Sequence, residues 1–112
     1  VLQWTLYNFM IGEIASDNSL CGGESASDVI GLQKIDDMIH DPVNDQLKRI
    51  WQYMYEGVNR ANYLVENKDK IDFPGFERRK NELYGEVHFL RAFFYFELVK
   101  IYGDVPLFTN GR

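Results

Sequence analysis

The sequence is short of the residues that fix structure through covalent links or metals. Among its 112 residues Cys21 is the single cysteine, so no intrachain disulfide can form and no CxxC pair exists. The two histidines, His40 and His88, are far apart, and neither an HExxH nor a Cys/His zinc spacing occurs. Asp36-Asp37 lacks the spacing of a calcium loop and reads as a solvated face. No motif for a cofactor is present, and no nucleophile, base and acid are discernible as a set, which leaves a small hydrolase without machinery. Basic charge is also scarce, with 12 Lys and Arg against 17 Asp and Glu. The resulting net charge of -5 argues against binding a nucleic-acid backbone. No apolar run reaches the length of a membrane span, because Arg91, Glu97 and Lys100 interrupt the longest one. No signal peptide is visible. The opening VLQWTLYNFM has neither an initiator Met nor a polar lead-in, so the sequence is expected to be a section of a longer chain.

What remains is globular and helical. A composition of 46% hydrophobic, 15% aromatic and 26% charged residues suits a packed domain, and the length suits one domain. Leu2, Leu6, Phe9, Met10 and Ile14 recur at helical spacing and predict a first helix over 1–16. Asp17-Asn18-Ser19 and Cys21-Gly22-Gly23 end it, opening a long polar connection over 17–45. Within that connection ASDVIGLQKIDDMIH has the pattern of a helical turn or two, and Asp41-Pro42 marks a stop. A second helix is expected over 45–67, with Asp45 as its N-cap. Its stripe of Leu47, Ile50, Trp51, Met54, Val58, Ala61 and Val65 faces inward, and Glu56 and Arg60 pair on the polar side.

A third helix is expected over 76–102, after a turn at Phe73-Pro74-Gly75. Leu83, Val87, Leu90, Phe94, Leu98 and Ile101 share one face, and Phe89, Ala92, Phe96 and Val99 share nearly the opposite one. Glu82, Glu86, Glu97 and Lys100 occupy a narrow stripe between them. A helix apolar on two faces is a buried helix, and two partner helices cannot cover both. The missing cover is expected from further sequence or from self-association of this segment. Gly57, Ala61, Gly85 and Ala92 are small residues suited to close helix approach. The pattern is all-α, with tetratricopeptide-like antiparallel helix pairs that are stable only when stacked.

The stretch LRAFFYFELVKIYGDVPL, residues 90–107, closely resembles the hallmark of the SusD/RagB family. In this sequence Glu86, Phe89-Leu90-Arg91-Ala92 and Phe93-Phe94-Tyr95-Phe96 lead into Tyr102-Gly103-Asp104-Val105-Pro106-Leu107. Upstream, IWQYMYEGVNRANYLVEN resembles the family's W-x-x-x-Y-x-x-I-x-x-A-N helix, with Trp51, Tyr55, Ala61 and Asn62 in place and Val58 at the Ile position. GEIASDNS, residues 12–19, is similar to the end of the family's first helix. The resemblance implies the N-terminal part of a larger α-helical scaffold. It implies a glycan-binding component of a nutrient-uptake system on the extracellular face of the outer membrane, delivering oligosaccharide to a SusC-like TonB-dependent transporter, without catalysis. The membrane link would be a lipid anchor on a cysteine outside this sequence, and Cys21 lies in a loop and is not that residue. A helical peptide-binding adaptor of tetratricopeptide type is the rival reading.

The candidate glycan-contacting residues are Asp17, Asn18, Asp41 and Asn44, chosen by chemistry and location in the 17–45 connection; each also suits capping or turn formation. Trp51, Asn62, Arg91, Tyr102, Gly103, Asp104 and Pro106 are expected to be structural. Arg91 requires a buried partner, expected on another helix at Glu56, Glu66 or a helix C-terminus. Tyr102-Gly103-Asp104-Val105-Pro106 reads as a helix stop, with Gly103 as a left-handed cap. Trp4 and Trp51 are better suited to core than to stacking on sugars, and Tyr63 falls on the polar side of the second helix.

Overall fold

A computed structural model describes residues 11–25, 27–70, 72 and 74–111. Among these there are helices and no strands, so the fold is all-α. The chain forms two compact units, Val1–Trp51 and Gln52–Arg112.

In the first unit residues 11–14 are helical and end with the Ser16 hydroxyl donating to the Glu13 carbonyl at 2.7 Å. The rest of the expected first helix, including Trp4, lies outside the described residues. Helix α1, Ile30–Asp36, follows, and it buries Leu32 and Ile35. Its entry residue, Val29, has φ 40° and ψ 54°, in the left-handed region where a β-branched side chain is strained. After α1 the chain turns, with the Val43 N–H donating to Asp41 Oδ1 at 3.1 Å.

Helix α2, Asp45–Glu66, begins in this unit. Its cap is Asn44 and not Asp45. Asn44 Oδ1 accepts the N–H groups of Gln46 at 3.0 Å and Leu47 at 3.2 Å, satisfying donors that have no partner inside the helix. The same side chain donates through Nδ2 to the Gly31 carbonyl at 2.8 Å, tying α2 to α1. Asp45 occupies the first helical position, where its charge complements the helix dipole.

In the second unit α2 continues to Glu66, a 3₁₀ turn spans Lys68–Lys70, and helix α3 spans Glu77–Tyr102. Residues 103–111 then run without regular structure. Tyr55 meets Tyr95 edge-on at 6.2 Å between ring centroids, Gly57 faces Phe94, and Asn62 bonds Arg91. Positions rising along α2 thus pair with positions falling along α3, so the two helices are antiparallel. Their core is Met54, Val58 and Ala61 from α2 with Tyr84 and Leu98 from α3. Trp51 and Val65, at the edges of the apolar stripe of α2, are half-buried.

The two apolar faces of α3 differ in exposure. Leu83, Val87, Phe94 and Ile101 are half-buried and Leu98 is buried, whereas Phe89, Phe96 and Val99 stand 70%, 61% and 50% exposed. Leu90 departs from its expected face and is 47% exposed. Glu97 departs in the other direction: it is buried, and its carboxylate holds the Lys100 ammonium at 2.6 Å. Gly103 ends α3 at φ 71°, its N–H donating to the Val99 carbonyl at 3.0 Å. A residue with a Cβ would be strained there.

Only part of the small-residue expectation corresponds to close packing. A Cβ on Gly57 would lie 2.5–2.8 Å from the Phe94 ring, whereas one on Gly85 would meet nothing within 4 Å, and Ala92 is exposed. Gly57→Leu is therefore expected to destabilise the protein by about 1–3 kcal/mol through overpacking. Gly85→Ala, in the middle of α3, is expected to stabilise it by about 0.5–1 kcal/mol through backbone entropy. Denaturant unfolding of the two variants beside the parent protein checks both signs.

Candidate functional site

Two polar arrangements stand out, one in each unit. In the second unit the side chain of Asn62 is fully buried. Its Oδ1 accepts from Arg91 Nη1 at 2.9 Å, and its Nδ2 donates to the carbonyls of Phe108 at 2.9 Å and Asn110 at 3.2 Å. The partner of Arg91 is thus a neutral amide on α2, and neither Glu56 nor Glu66. His88, one turn before Arg91 on α3, places Nδ1 3.4 Å from Nη2.

Two tyrosines complete the arrangement. Tyr95 Oη donates to the Phe108 carbonyl at 2.8 Å and accepts the Phe108 N–H at 2.7 Å. Tyr55 Oη donates to the Pro106 carbonyl at 2.7 Å, and its ring packs on Phe108 at 5.7 Å. The extended segment after α3 is therefore bonded to side chains of both helices. A cavity of about 200 Å³ lies beside it, lined by Tyr55, Val58, Asn59, Asn62, Phe108 and Asn110. With Asn62 already committed on both its oxygen and its nitrogen, this arrangement builds structure.

Burial, followed by the neighbouring Tyr95 phenol, raises the pKa of Tyr55 above its ordinary 10.0. The folded state thus favours the neutral hydroxyl, the form able to donate to Pro106.

In the first unit a polar hollow of about 370 Å³ is lined by Cys21, Gly22, Gly23, Ser25, Gln33, Asp36 and Asp37. Gln33 and Asp36 on α1 and Asp37 at its C-cap stand at i, i+3 and i+4 and so share a face. Asp36 Oδ2 accepts the Cys21 N–H at 2.7 Å, closing the loop onto the helix. Gln33 Nε2 donates to the carbonyls of Asp28 at 2.6 Å and Ser25 at 3.3 Å. Burial raises the pKa of the Cys21 thiol, and the carboxylates of Asp36, Asp28 and Asp37 add to it. The thiol stays protonated at neutral pH, unlike an activated nucleophile. The described residues hold no group of three His, Cys, Asp or Glu able to bind a metal.

The candidate residues of the connection do not converge on one point. Asp17 and Asn18 are exposed, and the Asn18 N–H reaches Ser16 Oγ at 3.3 Å. Asp41 accepts from Val43 and lies 3.7 Å from Lys34 Nζ. Asn44 is buried, with its oxygen and nitrogen committed to the helix cap and to Gly31. Of the expected structural residues, Asn62, Arg91 and Pro106 meet at the Asn62 arrangement, Gly103 is the turn that ends α3, and Asp104 is exposed. Sequence reading assigned Gln33 no role and took Asp36-Asp37 as solvent-facing. The helical spacing of these three residues is the signal that groups them.

An antiparallel helical pair, clamped by an asparagine and two tyrosines to the segment that follows, defines a scaffold element. The SusD-like family described as "Starch-binding associating with outer membrane" matches residues 7–111, and the chain belongs to this family. Three SusD-like proteins of Formosa agariphila are similar to it. P38 is 36% identical over 62 residues, P25 is 32% identical over 60, and P2 is 30% identical over 63. The matched stretches make up 54–56% of this chain but only 11–12% of those proteins. No solved structure matches. No described helix is long and apolar enough to cross a membrane.

Because folding raises the pKa of Tyr55, its contribution to stability is fully present below its unfolded value of 10.0 and is lost as pH rises through the higher folded value. An absorbance titration of tyrosinate is expected to show a late-ionising component that is absent from Tyr55→Phe, with stability falling over the same alkaline interval. A Tyr55 that ionises together with exposed tyrosines would contradict this.

Proposed function

We propose that this chain forms part of the helical scaffold of a glycan-binding protein of an outer-membrane nutrient-uptake system, one that passes captured oligosaccharide to a SusC-like TonB-dependent transporter. Membership of the SusD-like family across residues 7–111 is the observation that carries this reading. In it the protein works by binding and release, without catalysis. Its place is the extracellular face of the outer membrane, held by a lipid anchor borne outside the region described.

The polar face of α1 supports the reading chemically. The carboxylates of Asp36 and Asp37 and the amide oxygen of Gln33 accept hydrogen bonds, a combination suited to the hydroxyl donors of a sugar. The hollow is within the size range of small-molecule sites. Asp17 and Asn18 are free to meet a ligand from solvent. Asp41 and Asn44 contribute by holding the shape of the connection through the bonds they make to Val43, Gly31 and the start of α2.

A glycan array on the full-length protein that carries this region, followed by calorimetry with the best soluble oligosaccharide, tests the reading. Binding without release of new reducing ends is expected. Asp36→Ala combined with Asp37→Ala is expected to weaken binding about tenfold, equivalent to about 1.4 kcal/mol. A protein that ignores every glycan, or that cleaves one, would overturn the reading. Unchanged affinity in the double variant would move the ligand away from α1.

A further inference from the structure

The segment beyond α3 closes on Asn110-Gly111, a pair whose surroundings combine structural need with chemical lability. Gly111 lies against α2: a Cβ there would be 3.2 Å from Tyr63 Cα, 3.3 Å from Tyr63 N and 2.8 Å from Glu66 Oε2. The close backbone approach favours glycine, since a Cβ would require the Tyr63 main chain to give way and the Glu66 carboxylate to move aside. The Gly111 N–H has no hydrogen-bond partner among the described residues. Asn110 is exposed, and its Oδ1 accepts from the Thr109 hydroxyl at 3.4 Å. Its main-chain carbonyl accepts from Asn62 Nδ2 at 3.2 Å.

We propose that Asn110-Gly111 is a self-modifying site, where loss of the Asn110 side-chain amide releases one anchor of the segment, the bond from Asn62. The Gly111 nitrogen gives up its proton to solvent base and bonds to Asn110 Cγ. The Cγ–Nδ2 bond then breaks, and the nitrogen takes a proton and leaves as ammonia. The resulting five-membered imide takes up one water. Opening at one carbonyl gives aspartate, and opening at the other gives isoaspartate. Water is the only co-reactant, and no electrons are transferred to or from the chain.

Three features of the site favour the step. The attacking nitrogen has no hydrogen bond to give up among the described residues, and glycine has no Cβ to obstruct the ring. The Thr109 hydroxyl donates to the oxygen on which negative charge builds during attack, the arrangement that stabilises such charge in acyl transfer. The product then opposes the structure that produced it. A new carboxylate appears one residue from Gly111, where the Glu66 carboxylate already lies, and like charges at such range repel. Isoaspartate also lengthens the main chain by one carbon and displaces the carbonyl that Asn62 holds. The bonds of Phe108 to Tyr95 and Asn62 are then left to hold the segment without that anchor, so they open more often.

The test is timed incubation of the intact protein at mildly alkaline pH, followed by peptide mass mapping, isoaspartate detection and amide hydrogen exchange. The peptide carrying Asn110 is expected to gain one mass unit with first-order kinetics that accelerate with pH. Asn110→Ser is expected to abolish the gain while preserving the fold. The Phe108 amide, which donates to Tyr95, is expected to lose protection in proportion to the converted fraction. Conversion in the unfolded chain but not in the folded protein would overturn the proposal, since the fold would then shield the pair. Full conversion with unchanged Phe108 exchange would equally overturn it, by removing the release.

Discussion

A buried amide with opposite hydrogen-bonding capacities at its two ends is the constraint on which the second unit depends. Among the described residues no backbone-to-backbone hydrogen bond joins α2 to α3 or to the segment after α3. The carbonyls of half-buried Phe108 and of Asn110 accept from side chains instead, and a carbonyl left unpaired away from water costs about 1–3 kcal/mol. Asn62 supplies both bonds with its nitrogen, while its oxygen takes the charge-assisted bond from Arg91. Aspartate would keep the acceptor and lose the donors, and leucine would lose both. Asparagine is the side chain of this size that serves all three partners, and burial makes each of its bonds matter more.

The motifs that reveal the family are largely the parts of this one arrangement. Tyr55 and Asn62 come from the upstream helix, Arg91 and Tyr95 from the long aromatic helix, and the carbonyls they hold belong to the chain that leaves it at Gly103. Two motifs far apart in sequence are therefore one polar joint in space. A signature of this kind records how the scaffold closes and says little about what is bound. The family can thus be read from these residues.

The same distinction explains what was legible from sequence. The stripe of α2 has one period and one apolar face, so burial of Ile50, Met54, Val58 and Ala61 follows from local spacing. The two faces of α3 were equally visible, and the division between half-buried Phe94 and exposed Phe89 follows from which face α2 occupies. Features set by long-range pairing were not visible. Arg91 meets a residue 29 positions away, and Asn62 meets carbonyls 46 and 48 positions away. Local charge pointed to glutamates where geometry selected an amide. At the start of α2 the error was one position, because Asn44 and Asp45 are both good caps and only the bond to Gly31 distinguishes them. The polar face of α1 was hidden for a further reason: a seven-residue helix inside a polar connection carries too little periodicity to stand out.

The most direct test of the Asn62 arrangement is a double-mutant cycle between Asn62→Ala and Arg91→Met, read by denaturant unfolding. If the two side chains hold the helices together through their shared bond, the cycle yields a coupling energy of about 1.5–3 kcal/mol, the value for a hydrogen bond to a charged group. Strict additivity, within about 0.5 kcal/mol, would show that they act independently and would contradict the account.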